Sequence, residues 1–186
     1  MSTALSYWTC TAAEHAEVIE LVNAAYRGQG GESGWTSEIG LVEGLRITPE
    51  RLREEFAGEG APTIFLMREG RQLMACVHLR DTRSHSGRPA CHLSMLAVRP
   101  GQQDRGLGRL MLEWAETQGR ARGAQVARMT VVSVRETLIA WYERRGYRRT
   151  GESDPFPYDE PRFGVPQRAG LEFVVLERDL TAPRPP

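Results

Sequence analysis

The segment HLSMLAVRPGQQDRGLGRLMLEW, residues 92–114, orders the rest of the chain. It begins with an apolar run from Leu93 to Val98, typical of a buried strand, and Pro100 and Gly101 follow as turn formers. After a polar loop, apolar side chains recur at the spacing of one helical face: Leu107, Leu110, Met111 and Trp114. The segment therefore predicts a strand, a loop and an amphipathic helix in succession.

The loop from Gln103 to Arg109 is a candidate binding site for a phosphate-like anion. Gly106 and Gly108 lack a Cβ atom, so the backbone can approach a ligand closely. The first amides of the following helix have no partner inside it and point outward at the positive end of the helix dipole. Such donors bind anions with several oxygens. A purely structural turn explains the glycines equally well, so the loop alone leaves both interpretations open.

Two other phosphate-binding loops do not match this segment. A Walker loop needs Lys followed by Ser or Thr after its second glycine, whereas Gly108 is followed by Arg109 and Leu110. The dinucleotide fingerprint needs three glycines, and only two are present here.

Length and composition predict one globular domain over residues 1–180, followed by a disordered tail at residues 181–186. The chain has 186 residues, 40% of them hydrophobic, and its 24 basic residues, all arginine, balance 24 acidic ones. The net charge therefore steers the protein toward neither nucleic acid nor membrane. No apolar run could span a bilayer, and no signal peptide precedes the first strand. Three cysteines in strand-like surroundings favour reduced packing residues, so we predict a cytoplasmic protein.

Periodicity, capping residues and turn formers predict the remaining elements. Helices are expected after a Thr11 cap as far as Gly28, at Ser37–Arg46, after a Thr48 cap as far as Phe56, and at Thr137–Arg145. Strands are expected at Ala4–Thr9, Thr63–Arg68, Gln72–Arg80, Val126–Val132 (parallel to the central strand), from Tyr147 onward, and at Leu171–Glu177. Residues 81–89 are expected to form a mobile loop, and residues 154–166 a wall rich in proline and aromatic residues.

A second motif follows the predicted strand at Val126–Val132. The segment LIAWYERRGY, residues 138–147, places Tyr142 in the last turn of a helix that Gly146 closes. With the Q-x-x-G-x-G loop at residues 103–108, it resembles motifs A and B of the GNAT superfamily of acyl-CoA-dependent N-acetyltransferases. The two motifs cover about a third of the chain. One departure is Arg135, which stands where motif B usually has Asn.

The resemblance implies an α/β (α+β) fold with a GNAT-like mixed, mostly antiparallel central sheet and helices on both faces. The two central strands are expected to splay apart at the cofactor cleft, with a β-bulge within Met95–Val98. The implied cofactor is acetyl-CoA (CoA), its diphosphate on the loop amides and its pantetheine arm along the central strand. The predicted cofactor-binding residues are Leu96, Ala97, Val98, Gln103, Asp104, Arg105, Gly106, Leu107, Gly108 and Arg109.

The implied reaction is N-acetyl transfer to a primary amine of a small molecule or of an amino-acid or peptide terminus. Attack is expected to be direct, within a ternary complex. A backbone N–H near Leu96 is expected to stabilise the oxyanion. Tyr142 is expected to protonate the departing thiolate, since a phenol is protonated at neutral pH. Packing beside Trp141 is the alternative role for Tyr142.

Residues on the acceptor side are less sharply indicated. Tyr26, Trp35 and Glu38 are predicted to bind the substrate, because aromatic faces and a carboxylate suit a cationic amine. Capping and core packing explain them as well. The group that takes the proton from the amine remains open among several candidates: Glu32, Glu38, Glu43, His78, His92 and Glu136.

Other functions fit the sequence less well. The four histidines have no ligand spacing, so we predict no metal. The cluster Arg144, Arg145, Arg148 and Arg149 is predicted to be a solvated face, with contact to the cofactor's 3′-phosphate second and nucleic acid last. The alternatives to an enzyme are a catalytically silent acyl-CoA-binding sensor and an interaction domain that binds neither ligand. The acceptor's identity and the oligomeric state, a homodimer included, stay open.

Overall fold

A computed structural model describes residues 4–28, 36–58, 60–160 and 163–183. The helices are α1 (His15–Arg27), α2 (Pro49–Glu55), α3 (Leu107–Ala121) and α4 (Glu136–Glu143). The strands are β1 (Leu5–Thr9), β2 (Val42–Glu43), β3 (Thr63–Glu69), β4 (Gln72–Arg83), β5 (Pro89–Val98), β6 (Val126–Val132), β7 (Arg148–Pro155), β8 (Val165–Pro166) and β9 (Glu172–Asp179). Short 3₁₀ turns at Ala12–Glu14 and Gln103–Arg105 precede α1 and α3.

The main sheet has seven strands in the order β1-β3-β4-β5-β6-β9-β7. Its neighbours pair antiparallel except β5 and β6, which are parallel and joined by the crossover helix α3. β2 and β8 form a separate two-stranded sheet. The predicted mixed, mostly antiparallel sheet is confirmed, as is the parallel orientation of β6.

Helices cover both faces of the sheet. Successive residues of β3 point to opposite faces. Ile64 and Leu66 pack in the cluster that includes α1 and α2. Phe65 and Met67 pack in the cluster that includes α3 and α4. The two faces of one sheet thus carry two apolar cores, which confirms the predicted layers.

The sheet opens at its centre. β5 pairs with β6 only at Ala90–His92, opposite Val126–Arg128, and the two strands share no pairing beyond this point. On its other side, β5 carries a bulge: Cys76 pairs with Ala97 and His78 with Ser94, so two residues of β5 oppose Val77. One of them, Met95, has φ of 47°, in the left-handed region that non-glycine residues rarely adopt. The splayed strands and the bulge agree with the fold implied by the GNAT resemblance.

The helix predicted at Ser37–Arg46 is wrong. This segment consists of turns and the two-residue strand β2. Gly40 and Gly44 have φ of 77° and 91°, a left-handed conformation that ends a helix at once. Pairing of Val42 and Glu43 with β8 then supplies the backbone hydrogen bonds that helical periodicity was expected to supply.

The predicted loop at residues 81–89 is also too long. Asp81, Thr82 and Arg83 continue β4 and pair with Cys91, Ala90 and Pro89. Only residues 84–88 form the turn. The ladder between β4 and β5 extends through polar residues whose composition had predicted a loop. Elsewhere the predicted ends shift by a few residues, and β7 continues into the proline-rich segment as far as Pro155.

Candidate active site

The gap between β5 and β6 opens into a cavity of about 530 Å³ that reaches both faces of the sheet. Tyr26 of α1 and His78 of β4 line it on one side, and Leu138 and Tyr142 of α4 line it on the other. Arginine side chains also line it: Arg27, Arg46, Arg51, Arg80 and Arg135. The place where the sheet opens is therefore also the place where polar side chains from several elements meet.

Two strand edges face this gap without pairing to each other. β5 keeps its ladder to β4 and β6 keeps its ladder to β9, so residues 93–98 and 129–132 each retain a free edge toward the gap. The predicted cofactor residues Leu96, Ala97 and Val98 are buried here. Buried backbone N–H and C=O groups need partners. A ligand arm containing amides supplies both donors and acceptors along such an edge.

The loop after β5 presents main-chain donors at the start of α3. Gly106 caps the helix with φ of 72°, and the first intrahelical bond runs from Leu110 N to Gly106 O at 3.2 Å. The amides of residues 107–109 precede that bond and so have no partner within the helix. A Cβ atom built on Gly106 would meet no protein atom within 4 Å, so the space in front of the loop is open. The loop fits a diphosphate, which needs several directed donors and room for close approach.

Three side chains of this loop contact the protein itself. Arg105 forms a two-pronged ion pair with Glu69 of β3, at 2.7 and 2.9 Å, which ties the loop to the sheet. Leu107 is a core residue, 1% exposed, and Arg109 reaches Glu113 at 3.4 Å. Asp104 is exposed. Any contact of Leu107 with a cofactor would therefore be made by its main chain.

Tyr142 sits at the end of α4, as the sequence predicted. Gly146 has φ of 88°, and two bonds close the helix: Gly146 N to Glu143 O at 3.0 Å and Tyr147 N to Tyr142 O at 3.2 Å. This is the Schellman pattern with its accompanying contact, because the rings of Tyr142 and Tyr147 lie 5.6 Å apart. The stop at Gly146 thus holds Tyr142 in place beside the core.

Two tyrosines from opposite faces of the sheet line the cavity, Tyr26 of α1 and Tyr142 of α4. Tyr26 donates a hydrogen bond to the carbonyl of Leu96 at 3.2 Å, and burial raises its pKa to about 12. Tyr142 is 5% exposed, and within the described ranges no group hydrogen-bonds its hydroxyl. Burial, with the nearby Tyr26, raises the pKa of Tyr142 far above its usual value. Both phenols are therefore protonated at neutral pH and able to donate.

Of the three residues predicted to bind the acceptor, Tyr26 and Glu38 lie in the described part of the chain and line the cavity. Glu38 lines the cavity, but its carboxylate pairs with Arg27 at 2.5 Å and lies 3.9 Å from Arg135. Arg135, at the position where motif B usually has Asn, therefore lines the cavity beside Glu38. Trp35 lies outside the described residues, so its predicted role stays a prediction.

The structure narrows the candidates for the proton acceptor. His78 and His92 line the cavity with Glu38. Glu43 is exposed, and Glu136 is exposed and paired with Arg149 at 2.6 Å. Glu32 lies outside the described residues.

Both histidines are neutral at pH 7. Burial, aided by Arg46 and Arg80, lowers the pKa of His78 to about 3. Burial, aided by Arg128 and Arg80, lowers the pKa of His92 to about 4. The Nε2 atom of His78 is buried and has no hydrogen-bond partner among the described residues.

Sequence reasoning missed the arginines of the cavity. Arg27 ends α1, Arg46 precedes α2 and Arg80 lies on β4, so no spacing in the chain links them. Only the packing of α1 and α2 against the opened sheet brings them together. The cluster predicted as a solvated face is partly engaged: Arg149 pairs with Glu136 and Glu143, and Arg145 lies 3.5 Å from the centre of the Trp141 ring.

Two general features complete the description. Within the described ranges, no group of three or more His, Cys, Asp or Glu side chains is arranged to hold a metal ion. The same part of the chain contains no helix with the length and apolar character needed to cross a membrane. The cysteines Cys10, Cys76 and Cys91 are free thiols.

A parallel strand pair that splays beside a bulge, followed by a glycine-capped helix start with unpaired amides, is the arrangement that the resemblance to acyl-CoA-dependent transferases implied. The sequence model of the Acetyltransferase (GNAT) family matches residues 34–147, more than half of the chain. The chain therefore belongs to the GNAT acetyltransferase family, and it is an acyltransferase of the N-acetyltransferase type that uses acetyl-CoA.

Solved structures share this fold at low identity. An N-acetyltransferase from Staphylococcus aureus Mu50 is 14% identical with a TM-score of 0.69, over 96% of this chain and 99% of that chain. The ribosomal-protein-S18-alanine N-acetyltransferase from Escherichia coli is 15% identical with a TM-score of 0.64, over 97% and 96%.

The protein yncA from Salmonella typhimurium, assigned as an acetyltransferase and solved with its cofactor acetyl-CoA, is 17% identical with a TM-score of 0.65, over 99% and 98%. No curated protein matches the sequence. At these identities the likeness establishes the fold and leaves the acceptor undetermined.

Proposed function

We propose that this protein transfers the acetyl group of acetyl-CoA to a primary amine of a small molecule or of an amino-acid or peptide terminus. Attack is direct, within a ternary complex. The observation that carries the proposal is the cavity itself, where the bulge at Leu96 and the hydroxyl of Tyr142 share one space with the polar groups of α1. Donors for the cofactor and groups for the acceptor thus border the same opening in the sheet.

Three groups of the protein are proposed to assist the transfer: the backbone N–H near Leu96, Tyr142 and Tyr26. The cofactor supplies an activated thioester. The backbone N–H near Leu96 holds the negative charge that develops on the carbonyl oxygen, a contribution on the order of a few kcal/mol in comparable sites. Tyr142 donates its proton to the sulfur that leaves. Tyr26 bonds the Leu96 carbonyl and so keeps the bulge, and its amide, in a fixed orientation.

We propose that His78 accepts the proton of the amine nitrogen after that nitrogen has attacked, directly or through water. With a pKa of about 3, His78 is too weak a base to deprotonate a free ammonium, so the acceptor enters as the neutral amine, and its nitrogen becomes far more acidic once it has attacked. The Nε2 atom of His78 is buried, has no partner within the described ranges and belongs to the cavity lining. A neutral imidazole offers one acceptor nitrogen. Glu38 is the less suitable base, because Arg27 already occupies one of its oxygens. Its proposed place is at the acceptor end, where it orients Arg27 and Arg135.

The test is release of free CoA from acetyl-CoA across a library of amines, with the N-acetyl product identified by mass spectrometry. Acetyl-CoA is expected to raise the melting temperature by mass action, since it binds the folded state. Release of CoA that is independent of every amine, or an amine-dependent release without an N-acetyl product, contradicts the proposed transfer.

Gly106 provides the matched pair of variants for the cofactor loop. Gly106→Asp is expected to abolish the acetyl-CoA shift, because it adds a carboxylate where the diphosphate is bound. Gly106→Asn has nearly the same shape and the same left-handed φ, which Asn tolerates, but carries no charge. It is expected to weaken the shift only in part. Equal shifts for both variants would show that no anion binds there.

We also propose, from the sequence, a single domain over residues 1–180 and a cytoplasmic location. The oligomeric state is open, and a homodimer is one possibility. The free cysteines support the cytoplasmic location.

A further inference from the structure

The cavity carries an excess of positive charge in a chain whose net charge is zero. Five arginines and two glutamates, Glu38 and Glu55, line it. His78 and His92 are neutral. The described lining therefore holds three more positive than negative formal charges, which is unlike a pocket built for a purely cationic amine.

Two of these arginines have no carboxylate partner among the residues that the structure describes. Arg27 pairs with Glu38 and Arg51 with Glu55. Within the described ranges, no carboxylate lies at ion-pair distance from the guanidinium of Arg46 or Arg80. Arg46 is half-buried and its guanidinium lies over the ring of Tyr26, 5.4 Å from the centroid. A half-buried cation beside a cavity is poorly hydrated, so an anion that enters gains most of the interaction.

Two residues that line the same cavity carry buried polar atoms without hydrogen-bond partners in the described part of the chain. The Nε of Arg27 and the Nε2 of His78 are buried and lack hydrogen-bond partners among the described residues. His78 is 1% exposed and the side chain of Arg27 is 5% exposed. A buried polar atom without a partner is costly, and native sites keep one where a ligand will satisfy it: the N–H of Arg27 Nε suits an anion, and the acceptor nitrogen of His78 suits the amine.

The diphosphate of the cofactor cannot account for these groups. Arg80 pairs in register with His92, near the closed end of β5. The anion-binding loop begins after Val98, at the opposite end of the same strand, roughly 20 Å away at the rise of an extended chain. The bulge at Leu96 lies between the two ends. Arg80 therefore lies beyond the bulge as seen from the loop. Arg46 lies over the ring of Tyr26, whose hydroxyl reaches Leu96, and so borders the bulge itself.

We propose that the acceptor amine also carries an oxyanion group, a carboxylate or a phosphonate, which binds in this cavity with Arg46 as its principal partner and Arg80 as a second. This inference rests on the proposed transferase function. An arginine fork matches the two oxygens of such a group and places the amine end of the molecule toward the bulge. The same anion would offset the positive potential of Arg46 and Arg80 at His78, which favours proton uptake by that imidazole.

The experiment compares acceptors that differ only in the anion. One series is leucine, its aminophosphonate analogue, leucinamide and 3-methylbutylamine, and a second is 6-aminohexanoate, 6-aminohexanamide and hexylamine. Values of kcat/KM are compared at equal concentrations of free amine, because the amine pKa differs within each series. The anionic members are expected to exceed their neutral partners roughly ten- to hundredfold, the range of a charge-assisted hydrogen bond. The carboxylate and phosphonate arms distinguish the two oxyanions.

Substitutions of Arg46 and Arg80 test whether these two side chains cause the preference for anionic acceptors. Arg46→Gln is expected to reduce the acid-to-amide ratio of kcat/KM about tenfold, through KM for the acid, and Arg46→Lys to restore part of it. Arg80→Gln tests the same site without touching Tyr26, should Arg46→Gln disturb that ring. Arg53→Gln is the control, because Arg53 lies on α2 with its side chain 69% exposed and pairs with Glu50 at the surface. Its ratio is expected to equal that of the wild type.

A second readout needs no turnover. With CoA present, N-acetyl-leucine or N-acetyl-6-aminohexanoate is expected to raise the melting temperature more than the matching N-acetyl amide, and Arg46→Gln to remove the difference. Equal kcat/KM for acids and amides, or equal shifts when no series member reacts, overturns the oxyanion site. If the acetyl-CoA shift remains in that case, the transferase proposal stands and only the acceptor class falls. Absence of the acetyl-CoA shift removes both.

Discussion

Tyr142 and Tyr147 share an aromatic contact but differ in what their hydroxyl groups touch. The hydroxyl of Tyr147 donates to the buried Glu116 at 3.0 Å, and Glu116 also pairs with Arg178. The hydroxyl of Tyr142 faces the cavity without a partner in the described part of the chain. The hydroxyl of Tyr147 thus belongs to a buried ion-pair network, whereas Tyr142 lines the cavity and is proposed to act as the acid.

This contrast gives a matched pair of substitutions. Tyr142→Phe is expected to lower kcat about 10²- to 10⁴-fold, the usual contribution of a general acid, with the melting temperature and the acetyl-CoA shift unchanged. Tyr147→Phe is expected to lower the melting temperature, since it leaves a buried carboxylate short of a donor, while turnover per folded molecule stays near the wild-type value. Thermal melts and steady-state kinetics measure both. Full turnover in Tyr142→Phe would assign that ring to packing alone.

His78 predicts how stability depends on pH. Its folded pKa of about 3 lies below the ordinary value of 6.5, so the unfolded chain binds a proton first as the pH falls. The stability contributed by the neutral imidazole is complete above pH 6.5 and declines from there toward pH 3. At pH 5 the loss is about 2 kcal/mol.

The measurement is denaturant unfolding between pH 7.5 and pH 5 for the wild type and for His78→Gln. The slope of the free energy of unfolding against pH is expected to be smaller in the variant, whatever its absolute stability. His85→Gln is the comparison at the surface: His85 is exposed and its Nδ1 lies 3.0 Å from Glu152, so this variant measures the slope that a surface ion pair contributes. An unchanged slope in His78→Gln would place the acid sensitivity elsewhere.

At the scale of elements, α3 and β5 are in very close contact at Gly119. A Cβ atom there would lie 2.5 Å from Sγ and 3.3 Å from Cβ of Cys91. Replacing a helical glycine by alanine ordinarily stabilises by up to about 1 kcal/mol. Here overpacking reverses the sign, and Gly119→Ala is expected to destabilise by about 1–3 kcal/mol.

Cys91→Ala supplies the control for this contact. It removes Sγ, so the double variant Gly119→Ala/Cys91→Ala is expected to be more stable than the sum of the two single changes predicts. Denaturant unfolding of all four proteins gives the interaction energy. Strict additivity would mean that α3 moves away from β5 without cost.

The starts of two helices show where the local sequence pattern is enough to predict the structure. Thr48 accepts a hydrogen bond from Arg51 N at 3.2 Å, and Glu14 accepts one from Thr11 N at 2.9 Å, as their spacing predicts. These contacts are made within one turn of chain. The same reasoning gave a wrong prediction for the segment Ser37–Arg46, because its structure depends on pairing with β8, more than a hundred residues later.

At the scale of the whole molecule, the cofactor is expected to complete the sheet. The free edges at residues 93–98 and 129–132 are the places where the pantetheine arm would pair. Acetyl-CoA is therefore expected to slow amide hydrogen exchange in both segments, and to leave the β1–β3 ladder unchanged. Gly106→Asp with acetyl-CoA is the control and is expected to show no added protection. Protection confined to residues 99–109 would contradict an arm between the strands.

The local sequence determined the strand, the glycine loop, the capped helices and the tyrosine before Gly146, because each depends on hydrogen bonds and contacts between residues close in the chain. It also carried the family motifs, and with them the cofactor. Only the tertiary structure decided which charged side chains line the cavity. Arg27, Arg46 and Arg80 lie on three separate elements, and the charge of the cavity arises from how α1 and the turn before α2 pack on an opened sheet. Such long-range packing leaves no period or spacing in the chain, so it could not be predicted from the sequence.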